Sequence, residues 1–151
     1  MNTNIKPQAL RPKPVRAAVT RSPRVLVIDD EATLRSLCSR MLRPRYEVVE
    51  CTSATQALDL LKASVVDLVL TDLEMPEMTG LALIERLRQS HPELPIILMT
   101  GRNAGDARCQ RAGNLGVPVL TKPFSQQDLL ALVEAPAVAA GGTLSSSGIP
   151  S

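Results

Sequence analysis

The sequence is nearly without aromatic side chains. Tyr46 and Phe124 are the only two in 151 residues, and Trp is absent. The core must therefore be aliphatic, and stacking of nucleic-acid bases on an aromatic platform is excluded as an activity. No apolar run approaches the roughly 20 residues that a spanning helix needs, so no membrane insertion is expected. The basic N-terminus leads into no apolar segment of the kind that directs secretion. Histidine occurs once, at His91, before the fourth apolar run and so expected at the other end of the sheet from the acidic residues. No Ser–His pair is therefore expected to supply the nucleophile there. The three cysteines, Cys38, Cys51 and Cys109, form no CxxC pair and no metal-binding spacing. They fit buried thiols in a reducing cytoplasm. Acid is missing from the first 24 residues, which hold Lys6, Arg11, Lys13, Arg16, Arg21 and Arg24. The remaining 11 bases face 15 acids, so the rest of the chain is net −4.

What is present is globular in composition, at 44% apolar and 21% charged. Residues 1–23 carry Pro7, Pro12, Pro14 and Pro23 without apolar periodicity, and are expected to form a flexible basic arm. Six dispersed charges without a folded reader give weak, salt-sensitive binding, so nucleic acid is not an expected partner. Residues 135–151 are rich in Ala, Gly and Ser and are expected to be a disordered tail. No output module is expected after Val133. One folded domain over 24–134 remains.

Within it, short apolar runs alternate with helical patterns. The runs are Arg24–Ile28, Tyr46–Cys51, Asp67–Thr71, Pro95–Met99 and Val117–Thr121. The first, third and fourth are apolar on consecutive residues, as strands covered on both faces should be. Between them, Leu34, Leu37, Cys38, Met41 and Leu42 recur at helical spacing, as do Ala54, Ala57, Leu58 and Leu61 after a Ser53 cap. Leu83, Ile84 and Leu87 mark a third helix, and Leu129, Leu132 and Val133 a last one capped by Ser125. The helix around Gly105 to Ala112 has the faintest pattern. Five strands alternating with five helices predict an α/β fold with a doubly wound parallel sheet. Ligands of such sheets bind beyond the carboxyl ends of the strands.

Those ends carry the chemistry. The first strand ends in Asp29-Asp30-Glu31, the third at Asp72, the fourth in Thr100-Gly101 and the fifth in Lys122-Pro123. The second ends without charge at Cys51. In the order 2-1-3-4-5 the second strand is an edge, and the four charged or polar ends adjoin one another. Three carboxylates at close range repel, which would raise a pKa or demand a cation. An oxygen-only ligand set on a rigid rim suits Mg²⁺. Lys122 and the Thr100 hydroxyl suit a phosphoryl oxygen. The available nucleophile is then a carboxylate, which can form an acyl phosphate.

The segments VLVIDDE (Val25–Glu31), VLTDLEMPEMTG (Val69–Gly80), ILMTG (Ile97–Gly101) and VLTKPF (Val119–Phe124) together resemble a response-regulator receiver domain of two-component signalling, over about residues 24 to 134. The resemblance implies a flavodoxin-like fold and assigns roles. Asp72 matches the aspartate that accepts a phosphoryl group from a histidine kinase or phosphotransfer protein. Asp29, Asp30 and Asp72 match the Mg²⁺ site, with the backbone carbonyl of Glu74 as a further ligand. Thr100 matches the switch hydroxyl, and Lys122 the phosphoryl-contacting lysine, with a cis bond to Pro123. Met75, Pro76 and Gly80 match the loop after the third strand. The implied function is a cytoplasmic switch that signals through contacts with a downstream protein and is not an enzyme.

The chain departs from the pattern at Val119, where the family usually has Tyr or Phe. That favours one alternative, a pseudo-receiver that acts as an interaction module without phosphorylation. A phosphatase with an aspartyl intermediate would need a second acid as proton donor, for which Glu74 is the only candidate. Glu74 and Arg102, two residues beyond Asp72 and Thr100, are expected to pair across the mouth of the site and restrict attacking water.

Overall fold

The computed structural model describes residues 22–103 and 105–135. Five strands alternate there with five helices. They are β1 (Arg24–Ile28), α1 (Ala32–Leu42), β2 (Glu47–Cys51), α2 (Ala54–Ala63), β3 (Leu68–Asp72), α3 (Gly80–Ser90), β4 (Ile96–Thr100), α4 (Ala107–Asn114), β5 (Val119–Thr121) and α5 (Gln126–Val133). The strands form one parallel sheet in the order β2-β1-β3-β4-β5. This is the flavodoxin-like arrangement expected from the sequence. The expected arm and tail lie outside the described residues, apart from Ser22, Pro23 and Ala135. Among the described residues no helix is long and apolar enough to cross a membrane.

The alternation of side chains along each strand divides the core in two. On one face Leu26, Ile28, Val69 and Leu98 pack with Ala57 and Leu61 of α2, Leu83, Ile84 and Leu87 of α3, and Ala112 of α4. On the other, Val25, Val27, Leu70, Ile97 and Met99 pack with Cys38 and Leu42 of α1 and Leu129 of α5. The three central strands are therefore buried almost throughout, as their unbroken apolar runs require. The three cysteines are free and buried.

Strand ends differ from expectation by one or two residues. β5 begins at Val119 rather than Val117. Pro118 has no N–H for the ladder, although its carbonyl accepts from Leu98. β3 runs one residue further, through Asp72, because Leu73 N–H still bonds the Met99 carbonyl at 2.9 Å. Ser53 and Ser125 cap α2 and α5 as expected, the latter in a reciprocal capping box with Asp128. Thr79 and Asp106 cap α3 and α4. α4 buries only Cys109 and Ala112, which explains its faint periodicity.

Candidate functional site

β1, β3, β4 and β5 deliver their last residues to one edge of the sheet, around the switch point where β1 and β3 lie side by side. Asp29, Asp30 and Asp72 meet there, with one carboxylate oxygen of each within 4.8 Å of the others. Asp29 and Asp72 are buried and Asp30 is exposed. Lys122 reaches in from β5, its Nζ donating to Asp72 Oδ1 at 2.6 Å. The Lys122–Pro123 bond is cis. Thr100, wholly buried at the end of β4, takes a hydrogen bond on its hydroxyl from Arg102 N–H at 3.0 Å. All five carboxylate, hydroxyl and ammonium groups expected at the strand ends thus lie on one rim, and Glu74 follows in the turn beyond Asp72.

The site sets three carboxylates against the single positive charge of Lys122. Burial, and beyond it the neighbouring Asp72, pushes the Asp29 carboxyl up to about 6 against the opposing hydrogen bond from Glu31 N–H. Burial also raises Asp72, while Lys122 holds it down. Asp29 Oδ1 accepts from Glu31 N–H at 2.9 Å. Its Oδ2 is buried with no hydrogen-bond partner among the described residues. An orphaned carboxylate oxygen of this kind is costly unless a cation satisfies it. With Asp30 and Asp72 beside it, the donor set is all oxygen and fits Mg²⁺.

Comparison with known proteins shows the family. Residues 25–134 match the model of the response regulator receiver domain. The chain belongs to the response regulator receiver family. It is 34% identical over 111 residues to the DNA-binding transcriptional regulator NtrC of Klebsiella pneumoniae, covering 72% of this chain and 23% of that protein. It is 34% identical over 109 residues to the probable transcriptional regulatory protein TcrX of Mycobacterium tuberculosis, covering 70% of this chain and 46% of the other. The chain thus spans less than half the length of these two relatives. Among solved structures, a response regulator receiver protein from Pseudomonas putida superposes with a TM-score of 0.68 at 34% identity, covering 76% of this chain and 98% of that one. The chemotaxis response regulator CheY4 of Vibrio cholerae gives 0.68 at 26% identity, covering 75% and 97%.

The structure adds reasons and contacts that the motifs alone did not carry. Gly80 is needed because a Cβ there would lie 2.1 Å from the Asp72 carbonyl oxygen. Its N–H bonds the Leu73 carbonyl at 2.8 Å, so the start of α3 sits directly on the end of β3. Glu77 has φ 70°, and Met78 N–H bonds the Pro76 carbonyl at 2.7 Å around it. This is a γ-turn of the rarer hand that redirects the chain after β3. The Glu74 carboxylate pairs with Arg102 Nε, as the spacing predicted, and also accepts from Arg108 Nη2 at 3.3 Å. Arg108 and Arg102 both approach Asp106, the cap of α4. Arg108 had no sequence signal, because its α4 pattern is faint. Val119 is half-buried at the start of β5, opposite Leu98. An open groove of about 420 Å³ adjoins Lys122, lined by Glu31, Thr33, Leu34, Leu37, Pro123 and Phe124.

Proposed function

We propose that this receiver takes a phosphoryl group onto Asp72 from the phosphohistidine of a histidine kinase or phosphotransfer protein. The observation that carries the reading is Asp72 itself, held by Lys122 at 2.6 Å beside two further carboxylates. An Asp72 carboxylate oxygen attacks phosphorus and forms the P–O bond of an acyl phosphate. The P–N bond breaks, and its electron pair returns to the imidazole of the donor. Catalysis of such a transfer is positioning and charge neutralisation more than covalent help. Lys122 supplies a fixed positive charge to the phosphoryl oxygens. Asp29, Asp30, Asp72 and the Glu74 carbonyl would hold Mg²⁺, which neutralises further charge when bound. The Thr100 hydroxyl leaves Arg102 N–H to donate to the modified Asp72. The new charge of about −1.5 to −2 then biases the β4–α4 surface toward another arrangement, which a downstream protein reads. The chain retains the phosphoryl group as a signal in the cytoplasm and turns over no substrate.

Incubation with acetyl phosphate and Mg²⁺ tests this. The expected result is a mass gain of one phosphoryl group, lost in Asp72→Asn, with beryllofluoride shifting the amide resonances of Asp72 and Thr100. No mass gain and no shift would instead establish the pseudo-receiver, the alternative that Val119 favours. The Glu74–Arg102 pair, at the mouth of the site, restricts water attacking the acyl phosphate. Glu74→Ala and Arg102→Ala are expected to shorten the phosphoryl lifetime severalfold. Equal lifetimes leave the pair as a half-exposed, solvent-screened surface bridge with no part in phosphoryl retention.

A further inference from the structure

The edge strand β2 brings no ligand to the rim, yet it is tied to the acidic turn twice. Asp29 N–H donates to the Cys51 carbonyl at 3.1 Å. The second tie runs through α1. Arg35 Nη1 donates to the backbone carbonyl of Asp29 at 2.8 Å, while its Nε donates to Glu50 Oε1 on β2 at 3.2 Å. Ser39 donates to the other oxygen of Glu50 at 2.6 Å, and Arg43 stands 3.6 Å from it. The Ser39 hydrogen bond, and then Arg35, hold the Glu50 carboxyl below its usual range. The Arg35 side chain is only 16% exposed, so its fork is set between two fixed acceptors.

From this geometry we infer that Arg35 is a positioning residue for the metal site, held in place by Glu50 and Ser39. The inference rests on the Mg²⁺ reading above. The Asp29 carbonyl belongs to the peptide that joins Asp29 to Asp30. A guanidinium bonded to that oxygen fixes the plane of the peptide. It thereby fixes the direction in which the two carboxylates leave the backbone. The Asp29 carboxylate is fixed again by Glu31 N–H through Oδ1, and its buried Oδ2 has no hydrogen-bond partner among the described residues. Glu50 has a second effect. Arg35 is a cation close to a site that must attract another cation, and Glu50 neutralises it. The acidic field of the three aspartates is kept while the donor stays where it is needed.

The two possible effects of Arg35 have opposite signs, and this makes the inference testable. As a charge alone, Arg35 repels Mg²⁺, so Arg35→Met would tighten binding. As a positioning group it orients ligands, and losing an outer partner of a metal ligand typically weakens binding about 10-fold or more. Mg²⁺ titration of the full chain, followed by amide shifts of Asp30, Glu31 and Asp72, measures the sign. The expected result is about 10-fold weaker binding in Arg35→Met, with thermal stability measured beside it. Arg35→Lys keeps the charge but one ammonium replaces a fork, and it is expected to recover only part of the loss. Glu50→Gln is expected to weaken binding by less than Arg35→Met. The double variant is expected to be no weaker than Arg35→Met, because Glu50 acts through Arg35. Unchanged or tighter binding in Arg35→Met overturns the inference. So does an additive double variant. So does a loss of thermal stability with the affinity intact, which marks a merely structural bridge. If the wild-type chain fails to bind Mg²⁺, the reading of the site itself falls instead.

Discussion

At the scale of single residues, the site holds charge where the fold would be more stable without it. Asp29 is 1% exposed and its carboxyl is pushed up from 3.8 to about 6, chiefly by burial. The folded chain therefore binds this proton more tightly than the unfolded chain does. Protonation favours folding, so this group weakens the fold as pH rises from about 4 through 6, and the full penalty stands above 6. A shift of this size corresponds to roughly 2 to 3 kcal/mol. Thermal unfolding of wild type and Asp29→Asn without divalent cations checks it. The variant is expected to be more stable by about 2 kcal/mol at pH 8, and the difference should vanish toward pH 4. Added Mg²⁺ should stabilise wild type and leave the variant unmoved. A difference that is flat across this range would show that burial of Asp29 carries no such penalty. The comparison isolates Asp29 from Glu50, whose lowered carboxyl titrates with the opposite sign in both proteins.

At the scale of elements, legibility in the sequence followed the strength of the local signal. The three central strands read as unbroken apolar runs because both of their faces are covered. The rim residues Asp29, Asp30, Asp72, Thr100 and Lys122 were legible because each ends or directly follows a short apolar run. Arg35 and Glu50 were not. Each sits within an element whose pattern explains its neighbours, and only the packing of α1 beside β2 brings them together. Gly80 is an intermediate case, since a motif marked it but the reason is a contact. Its hydrogen stands where any side chain would meet the Asp72 carbonyl. Gly80→Ala must push α3 away from β3 or move the peptide that carries Asp72, because the obstructing atoms are backbone. The expected loss of stability is about 1 to 3 kcal/mol, the range for overpacked positions. Phosphorylation by acetyl phosphate is expected to slow by more than stability alone explains, since the acceptor peptide shifts. An Ala variant with wild-type melting temperature and rate would show that α3 yields freely.

At the scale of the whole molecule, the site has no single owner. Its groups come from four of the five strands, and the sheet is buried between two separate apolar layers. Neither layer can be lost while the rim survives, because β1, β3 and β4 each contribute side chains to both. This predicts one cooperative transition, with far-UV circular dichroism and Tyr46 fluorescence sharing a urea midpoint. Leu83 of α3 and Leu42 of α1 are fully buried on opposite faces of the sheet. Each Leu→Ala substitution is expected to lower stability by about 2 to 5 kcal/mol. Having no shared partners, the two should add to within about 0.5 kcal/mol. On the proposed reading, Mg²⁺ should stabilise both variants by the same free energy, because an ion held by the rim carboxylates would touch neither layer. If Leu83→Ala splits the transition in two, with Mg²⁺ shifting only one part, the rim rests on one layer alone. A single shifted transition means that a cation held at the rim would stabilise both layers at once, and the proposed charge at Asp72 would then be felt on either face.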